Sequence, residues 1–227
     1  MPLSALSFLL LALPSQLREP APFPLEAAAA VVLDAETGKV LYARDPDTPR
    51  YPASTTKIMT TLLLLERTKP GQMLTAPKDV TKVPESSMHL KPGERISSRD
   101  LAYALMLRSA NDGCYTVAVN LAGSVPKFSA MMNARARELG CQGTYFNNPN
   151  GLNDRAHLIC ARDLALIARE AMRNPEFAAI ARTRKHKIVR QKGATDLWMI
   201  SKNRMLVTDP SADGIKTGWT IPSGHTY

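Results

Sequence analysis

Ser54 and Lys57, a serine and a lysine three residues apart, lie in the stretch that most restricts what this chain can form. Pro52 precedes them and apolar residues follow, Ile58, Met59 and Leu62–Leu65, which predicts a helix that starts at Ala53 or Ser54. Positions i and i+3 of a helix share a face, so the Lys57 amine can approach the Ser54 hydroxyl. Burial of the leucine-rich face would desolvate the amine and lower its pKa. The pattern therefore predicts a serine nucleophile with a lysine as its general base.

Ser-x-x-Lys alone occurs by chance in many helices, so it is weak evidence for a catalytic pair. Two later motifs strengthen the catalytic interpretation. Ser109-Ala110-Asn111 lies 55 residues after Ser54, and Lys216-Thr217-Gly218 lies 107 residues after Ser109. In this order, the three motifs resemble the signature of penicillin-binding proteins and serine β-lactamases.

Composition and charge limit the function classes. Hydrophobic residues make up 44% of the 227 residues and charged residues 22%, which is typical of a globular protein with one large or two small domains. The net charge of +9 raises the question of nucleic-acid binding. However, the basic residues are scattered, and aromatics at 6% are too few for stacking platforms. We therefore predict no nucleic-acid partner.

The densest basic segment runs from Arg182 to Lys187, with Arg190 and Lys192 beyond it. Lysine and arginine at these positions predict a solvated strand edge. Contact with an anionic wall polymer or with lipid head groups is the alternative.

The cysteines and histidines predict neither a disulfide framework nor a metal site. Cys114, Cys141 and Cys160 are odd in number and far apart, and the four histidines show no metal-ligand spacing. Cys114 lies in an apolar helical segment and is predicted to be a buried thiol. We predict no cofactor.

Residues 1–25 are predicted to be a signal peptide and linker, and residues 26–227 a catalytic domain. Leu3–Leu13 is apolar but too short to span a membrane, although no lysine or arginine precedes it. Pro20, Pro22 and Pro24 favour an extended linker. We expect an exported protein; the alternative is a start codon placed upstream of the domain.

Strand patterns at both ends of the chain enclose a helical middle. This order predicts an α+β fold, in which one antiparallel sheet packs against a helical block. The strands predicted from β-rich runs are 31–34, 39–42, 187–190 and 197–200, together with an exposed edge strand at 213–220. After the first helix, the predicted helices are one capped by Ser98 or Asp100 and ending near Leu107, then 112–121, 126–140, 163–173 and 176–181.

From about Ala29 to Tyr227 the chain resembles the D-alanyl-D-alanine carboxypeptidases, which are low-molecular-mass penicillin-binding proteins. Besides the three motifs, the similar segments are 34–41, 52–54, 107–112, 148–152 and 213–218. The resemblance implies a two-lobed, β-lactamase/transpeptidase-like fold. It also implies a bacterial enzyme outside the cytoplasm that removes the terminal D-alanine of peptidoglycan stem peptides through an acyl-serine. Penicillins would acylate the same serine, and the full-length protein would associate peripherally with the membrane.

The resemblance implies a role for each residue of the first two motifs. Ser54 would be the nucleophile and Lys57 its general base. Ser109 would relay a proton to the leaving amine, and Asn111 would bind the substrate amide.

The third motif would form the opposite wall. Lys216 and Thr217 would bind the substrate carboxylate, and the charge of Lys216 would lower the pKa of Lys57. Gly218 would let the substrate lie close to the backbone. The N–H groups of Ser54 and Trp219 would form an oxyanion hole, in which each donor contributes about 3–4 kcal/mol to the transition state.

The chain departs from the family in two ways. Cys160 stands where the family has serine or threonine, and we expect a small effect on packing. The family also continues beyond this point with further strands, a closing helix and often a β-rich domain. We therefore expect residues 1–227 alone to be poorly folded and nearly inactive, with apolar sheet surface and strand edges left open.

Two other functions stay open. A serine β-lactamase would need a base for deacylation, and Glu170 and Asn174 have the spacing of its Glu-x-x-x-Asn motif. Arg173, however, stands where that motif has leucine, and the pair lies at a helix end. The third function is an inactive wall-binding fragment.

Overall fold

The computed structural model describes residues 25–84, 86–190, 194 and 197–227. The predicted signal peptide, nearly all of the linker, and Lys192 of the basic segment lie outside them. The elements, in order, are β1 (Ala30–Leu33), β2 (Val40–Arg44), α1 (Lys57–Arg67), β3 (Met73–Thr75), β4 (Arg95–Ser97), α2 (Ser98–Tyr103), α3 (Asn111–Ala122), α4 (Val125–Glu138), α5 (Ala161–Arg173), α6 (Pro175–Ala181), β5 (Lys185–Lys187), β6 (Trp198–Ile200), α7 (Met205–Thr208), β7 (Gly218–Thr220) and β8 (Gly224–Thr226).

Helix α1 is the centre of the molecule. All residues from Lys57 to Leu64 are buried, because α2, α3, α4, α5 and α6 surround this helix. The sequence suits that position, since an apolar run without proline or glycine is buried on every side, and Arg67 in the last turn complements the helix dipole. The first turn of α1 is thereby held in the protein interior.

The α+β class is confirmed, but the strands are arranged differently from our expectation of one sheet that joins both ends of the chain. The described residues form four separate two-stranded antiparallel sheets. The β7–β8 hairpin packs on the turn before α1, where Thr226 Oγ1 donates to the Pro52 carbonyl at 3.0 Å, and does not pair with β1–β2. Both hairpins expose apolar side chains, among them Leu41 and Trp219.

The helix predictions are confirmed for α3 to α6 within a few residues. The cap of α2 was wrong: Ser97, not Ser98 or Asp100, accepts the Asp100 N–H at 3.0 Å. Helix α2 then widens into a π-helical turn, Ala104–Arg108, which ends at Ser109.

Two strand predictions were wrong. The strand expected at 187–190 is β5 at Lys185–Lys187, because Arg190 leaves the strand to pair with the buried Glu94. The edge strand expected at 213–220 is confined to Gly218–Thr220, and Lys216 before it is buried. The sequence did not predict the β3–β4 hairpin, because strands of three residues show too little alternation.

The basic segment is a solvated strand edge in part, as predicted. Lys185 and Lys187 are exposed, and their ammonium groups lie 4.2 and 5.8 Å from the centre of the Trp198 ring. Arg182 forms a two-point ion pair with Asp213. These contacts account for Arg182, Lys185 and Lys187 of the basic segment.

The buried Cys114 confirms the prediction of an interior thiol, and burial raises its pKa to about 11. The small packing effect expected for Cys160 stays a prediction, and the structure adds a second aspect. Cys160 occupies the N-cap of α5 and makes no side-chain capping hydrogen bond. A serine or threonine there would cap the helix, so the substitution affects capping and not only packing.

Candidate active site

The hydroxyl of Ser54 lies between two catalytic-type side chains. Ser54 belongs to a 3₁₀ turn, Ala53–Thr56, that leads directly into α1. Lys57 Nζ lies 3.0 Å from Ser54 Oγ, and Ser109 Oγ donates to the same oxygen at 2.9 Å. The structure therefore brings together three of the side chains selected from the sequence. A neutral Lys57 amine at this distance can accept the Ser54 proton.

Lys57 is fully buried, with 0% of its surface exposed. Its pKa is lowered to about 8, principally by burial and to a smaller extent by the positive charge of Lys202. The Asn150 carbonyl accepts a hydrogen bond from Lys57 Nζ at 2.5 Å. This contact fixes the orientation of the amine, whose other hydrogen-bond partner is Ser54 Oγ.

Ser109 and Asn111 are aimed by the break between α2 and α3. Ser109 has a left-handed backbone conformation with φ of 66°. Residues other than glycine rarely adopt this conformation unless the surrounding structure holds them in it. Asn111 begins α3; its N–H donates to Ser86 O at 2.7 Å, and its Nδ2 donates to Pro84 O at 3.1 Å. Its Oδ1 accepts no hydrogen bond from the described part of the chain, so it can receive a substrate N–H.

Asp112 holds the loop that supports Asn111, a function that the sequence did not reveal. Its buried carboxylate accepts the Ser87 hydroxyl at 2.7 Å and the N–H groups of Met88 and Leu90 at 3.1 and 2.9 Å. An acidic residue in the first turn of a helix normally suggests only a favourable dipole contact. Here the Asp112 carboxylate joins the start of α3 to the loop at residues 87–90.

Lys216 is buried at 4% exposure on the other side of the site. Burial is the main cause that lowers its pKa, and the charges of Lys57 and Lys202 lower it further. The positive charge of Lys202 lowers the pKa of Lys57, and the repulsion between Lys57 and Lys216 that we expected lowers the pKa of Lys216. Lys216 Nζ donates to the Thr217 carbonyl at 2.6 Å. A bound carboxylate would stabilise its ammonium form.

The strand after Lys216 passes directly beside Ser54. A Cβ atom at Gly218 would lie 2.8 Å from the Ser54 backbone N and 2.4 Å from Thr226 Oγ1, so only glycine allows this approach. Thr217 is half-buried at the start of this passage. The side chain of Trp219 is 59% exposed, which leaves its backbone N–H as the group that could act in the site.

The turn at residues 147–151 forms the floor beside Lys57. His157 Nδ1 accepts the Asn147 N–H at 2.9 Å, so the proton is on Nε2, which donates to Thr56 Oγ1 at 2.8 Å. Burial lowers the pKa of His157 to about 4. A Cβ at Gly151 would lie 1.7 Å from the Ala53 carbonyl oxygen. Glycine and a neutral histidine therefore hold this turn against the turn that carries Ser54.

Glu170 and Asn174, the pair considered for a β-lactamase, both have structural contacts. Glu170 lies 3.0 Å from Arg135 and 3.7 Å from Arg173. The Asn174 side chain caps α6 by accepting the N–H groups of Glu176 and Phe177. Glu170 is thus engaged in ion pairs and Asn174 in a helix cap.

No group of three or more His, Cys, Asp or Glu side chains suited to a metal ion occurs among the described residues. Within the same ranges, no helix is both long and apolar enough to cross a membrane.

A serine hydroxyl in contact with a buried lysine amine and a second serine, carried on a helical block with small sheets, defines the class of active-site-serine peptidases. Residues 16–227 match the sequence profile of the peptidase S11 family, described as D-alanyl-D-alanine carboxypeptidase. The chain belongs to this family.

Individual relatives agree with this family. The chain is 34% identical over 200 residues to D-alanyl-D-alanine carboxypeptidase DacF of Bacillus subtilis, covering 86% of this chain and 51% of that protein. D-alanyl-D-alanine carboxypeptidase DacC of Escherichia coli is 33% identical over 216 residues, covering 88% of this chain and 52% of that protein. The chain thus spans about half the length of these curated relatives.

Solved structures show the same fold. A D-alanyl-D-alanine carboxypeptidase of Mycobacterium tuberculosis H37Rv superimposes with a TM-score of 0.82 at 30% identity, covering 91% of this chain and 80% of that one. A serine-to-alanine mutant of the Streptomyces K15 DD-transpeptidase also gives a TM-score of 0.82, at 28% identity, covering 89% of this chain and 84% of that one. The transpeptidase-like fold is therefore confirmed.

Proposed function

We propose that this protein is a serine-type D-Ala-D-Ala carboxypeptidase, which removes the terminal D-alanine from peptidoglycan stem peptides. The observation that carries the proposal is the contact of Ser54 Oγ with the Lys57 amine at 3.0 Å, where burial lowers the lysine pKa to about 8. Such an amine is partly neutral near physiological pH. Family membership supports the substrate.

Acylation would begin with the neutral Lys57. Its amine takes the Ser54 proton while Oγ attacks the carbonyl carbon of the penultimate D-alanine. The N–H groups of Ser54 and Trp219 would stabilise the oxyanion that forms. The peptide C–N bond then breaks. The proton passes from Lys57 through Ser109, 2.9 Å from Ser54 Oγ, to the departing amine.

Recognition and deacylation would use the rest of the site. Lys216 and Thr217 bind the carboxylate of the terminal D-alanine, and Asn111 Oδ1 accepts the amide N–H of the substrate. After D-alanine leaves, water attacks the acyl-serine with Lys57 as the base, and Ser54 regains its proton. Penicillins would acylate Ser54 by the same first step.

The test is Ser54→Ala in the full-length protein, with Ser129→Ala as its matched control. Ser129 is a buried serine whose hydroxyl has no hydrogen-bond partner in the described structure. Wild type and Ser129→Ala should form a covalent adduct with fluorescent penicillin and release D-alanine from a D-Ala-D-Ala peptide, whereas Ser54→Ala should do neither.

Two results would contradict the proposal. Fast penicillin hydrolysis without release of D-alanine would identify a β-lactamase. A folded wild-type protein that forms no adduct and releases no D-alanine would identify an inactive wall-binding protein.

We propose in addition that the protein is exported and acts at the outer face of the bacterial cell membrane, with peripheral membrane association. The substrate supports this location, because peptidoglycan lies outside the cytoplasm. Fractionation of cells, with detection of the protein in the cytoplasm alone, would contradict it.

A further inference from the structure

The inner face of the β5–β6 hairpin is packed against the rest of the protein. His186 of β5 stacks on the Tyr103 ring, with 3.6 Å between the ring centroids, and Met199 of β6 is fully buried. Just beyond β5, the Arg190 guanidinium pairs with the buried Glu94 carboxylate at 2.7 Å. These contacts hold the hairpin in one position on its inner side.

The outer face of the same hairpin presents lysines and large apolar side chains to solvent. Because side chains alternate along a strand, Lys185 and Lys187 point outward, directly opposite Ile200 and Trp198 of β6. Ile200 is 57% exposed, Trp198 is 49% exposed, and Val189, two residues beyond Lys187, is 78% exposed. Single exposed apolar residues are ordinary, whereas a group of them on one face marks an interaction surface. We call these five residues the outer face of the hairpin.

The charge of the outer face is positive. Residues 182–190 include arginines and lysines but no Asp or Glu. The ammonium groups of Lys185 and Lys187 lie 4.2 and 5.8 Å from the centre of the Trp198 ring, so cation–π contacts keep both charges beside the exposed apolar side chains. The net charge of +9 adds a long-range attraction to anionic surfaces.

This combination of side chains suits the surface of an anionic bilayer. Tryptophan and aliphatic side chains enter the boundary between lipid head groups and acyl chains, and lysines extend their ammonium groups to the phosphates. A soluble polymer of phosphates would also pair with the lysines. It would, however, leave Val189 and Ile200 in water, so the apolar side chains favour the lipid surface.

We propose that the outer face of the β5–β6 hairpin docks on the surface of an anionic phospholipid bilayer. Lys185 and Lys187 pair with lipid phosphates, and Trp198 and Ile200 enter the boundary between head groups and acyl chains. The inference rests on the proposed location at the cell membrane and adds the surface of this domain that makes the contact.

The contact would bring the active site close to the membrane. Ile200 lies two residues before Lys202, and the Lys202 ammonium donates to Ser86 Oγ at 3.2 Å. The carbonyl of Ser86 in turn accepts the Asn111 N–H at 2.7 Å. Two residues span at most about 7 Å, so the docked hairpin leads directly into the cleft.

The first test removes the charges of the outer face. The full-length protein is sedimented with vesicles of phosphatidylcholine and phosphatidylglycerol at low salt, which gives a partition coefficient. The double variant Lys185→Gln, Lys187→Gln should bind more weakly by about fivefold for each lysine. The control Lys78→Gln, Lys127→Gln removes the same charge at two other exposed lysines and should lose much less.

The second test removes the apolar side chains. Trp198→Ser, Ile200→Ser should lower the partition coefficient by about tenfold or more, because less apolar surface leaves water. The control Tyr145→Ser, Met73→Ser changes an aromatic and an aliphatic side chain that are 53% and 44% exposed elsewhere, and it should bind like wild type.

The third test follows Trp198 itself, so it stays decisive when another part of the protein also binds lipid. The difference between the emission spectra of wild type and Trp198→Phe isolates the emission of Trp198. With phosphatidylglycerol vesicles this emission should shift to shorter wavelength, and brominated lipids should quench it.

Equal partition coefficients for the hairpin variants and their controls would overturn the proposal. A Trp198 emission that vesicles neither shift nor quench would overturn it as well. If the hairpin variants lose binding to soluble poly(glycerol phosphate) but not to vesicles, the partner is a polyanion and the lipid proposal is wrong.

These outcomes are separate from the proposed catalytic function. All variants should form the penicillin adduct and release D-alanine from a soluble peptide at wild-type rates, because none of the changed residues lies in the catalytic site. A wild type that binds vesicles but neither forms the adduct nor releases D-alanine would contradict the proposed function and leave the docking surface in place.

Discussion

Removing the charge of Lys202 should shift the pH at which Ser54 becomes reactive. Lys202 is exposed, and its Nζ donates to Ser86 Oγ at 3.2 Å. Its positive charge lowers the pKa of Lys57, after the larger effect of burial. Lys202→Gln keeps much of the side-chain length and removes the charge, so the pKa of Lys57 should rise.

The expected size of the pH effect follows from the Lys57 pKa of about 8. With that value, about 10% of the amine is neutral at pH 7 and about 90% at pH 9. The acylation rate of wild type should therefore rise about tenfold over this range and level off above it. In Lys202→Gln the curve should move to higher pH, so acylation slows at pH 7, while the two rates converge near pH 10, where both amines are neutral.

The assay is stopped-flow acylation by fluorescent penicillin between pH 6 and pH 10. Saturating penicillin is needed because Lys202 also lowers the pKa of Lys216, and that effect would change binding of the penicillin carboxylate. Lys127→Gln, an exposed lysine at the start of α4, is the control and should follow wild type. A flat pH profile in wild type, or a Lys202→Gln curve shifted toward acid, would refute the assignment of Lys57 as the base.

The remaining predictions concern single contacts. Ser109→Ala should slow penicillin acylation by about 100-fold or more, because a proton relay is lost; a wild-type rate would exclude that role. The pKa of His157 is about 4, so stability should fall as pH drops from about 6.5 toward 4, by up to about 3 kcal/mol. His157→Gln should lack this pH dependence in urea unfolding. Arg190→Gln leaves Glu94 buried without its ion-pair partner and should lower the free energy of unfolding by about 3–5 kcal/mol; combining it with Glu94→Gln should recover part of the loss. Cys160→Ser should cap α5 and raise the free energy of unfolding by about 1 kcal/mol, detected as a higher Tm.

The sequence was informative wherever local spacing determines geometry. Ser54 and Lys57 are one helical turn apart, so their contact follows from the start of α1. The position of Ser109 was predictable for a different reason, since three motifs in a known order imply a shared cleft. Helices α4 and α6 were also predictable, because proline at their first turns and the apolar period that follows are local signals.

Contacts between distant segments could not be predicted in this way. The Asn150 carbonyl that holds Lys57 is a backbone group, which has no sequence signature. Lys202 looks like any exposed lysine of a basic chain, and its effect on Lys57 depends on the fold. Arg190 and Glu94 are 96 residues apart, and nothing local indicates that they form a buried pair. The strand expected at 187–190 was wrong for this reason.

The turn that carries Ser54 shows how these two kinds of information combine. Gly151 approaches it from one side and Gly218 from the other, and each position is closed to a Cβ atom by the backbone of this turn. Glycine in a turn-rich segment and glycine in a strand are both common, so neither contact could be identified from the sequence. Yet these two approaches place the Asn150 carbonyl at Lys57 and bring the backbone of β7 beside Ser54. The motifs therefore identify the reactive side chains, whereas close backbone packing between distant segments sets the distances on which their reactivity depends.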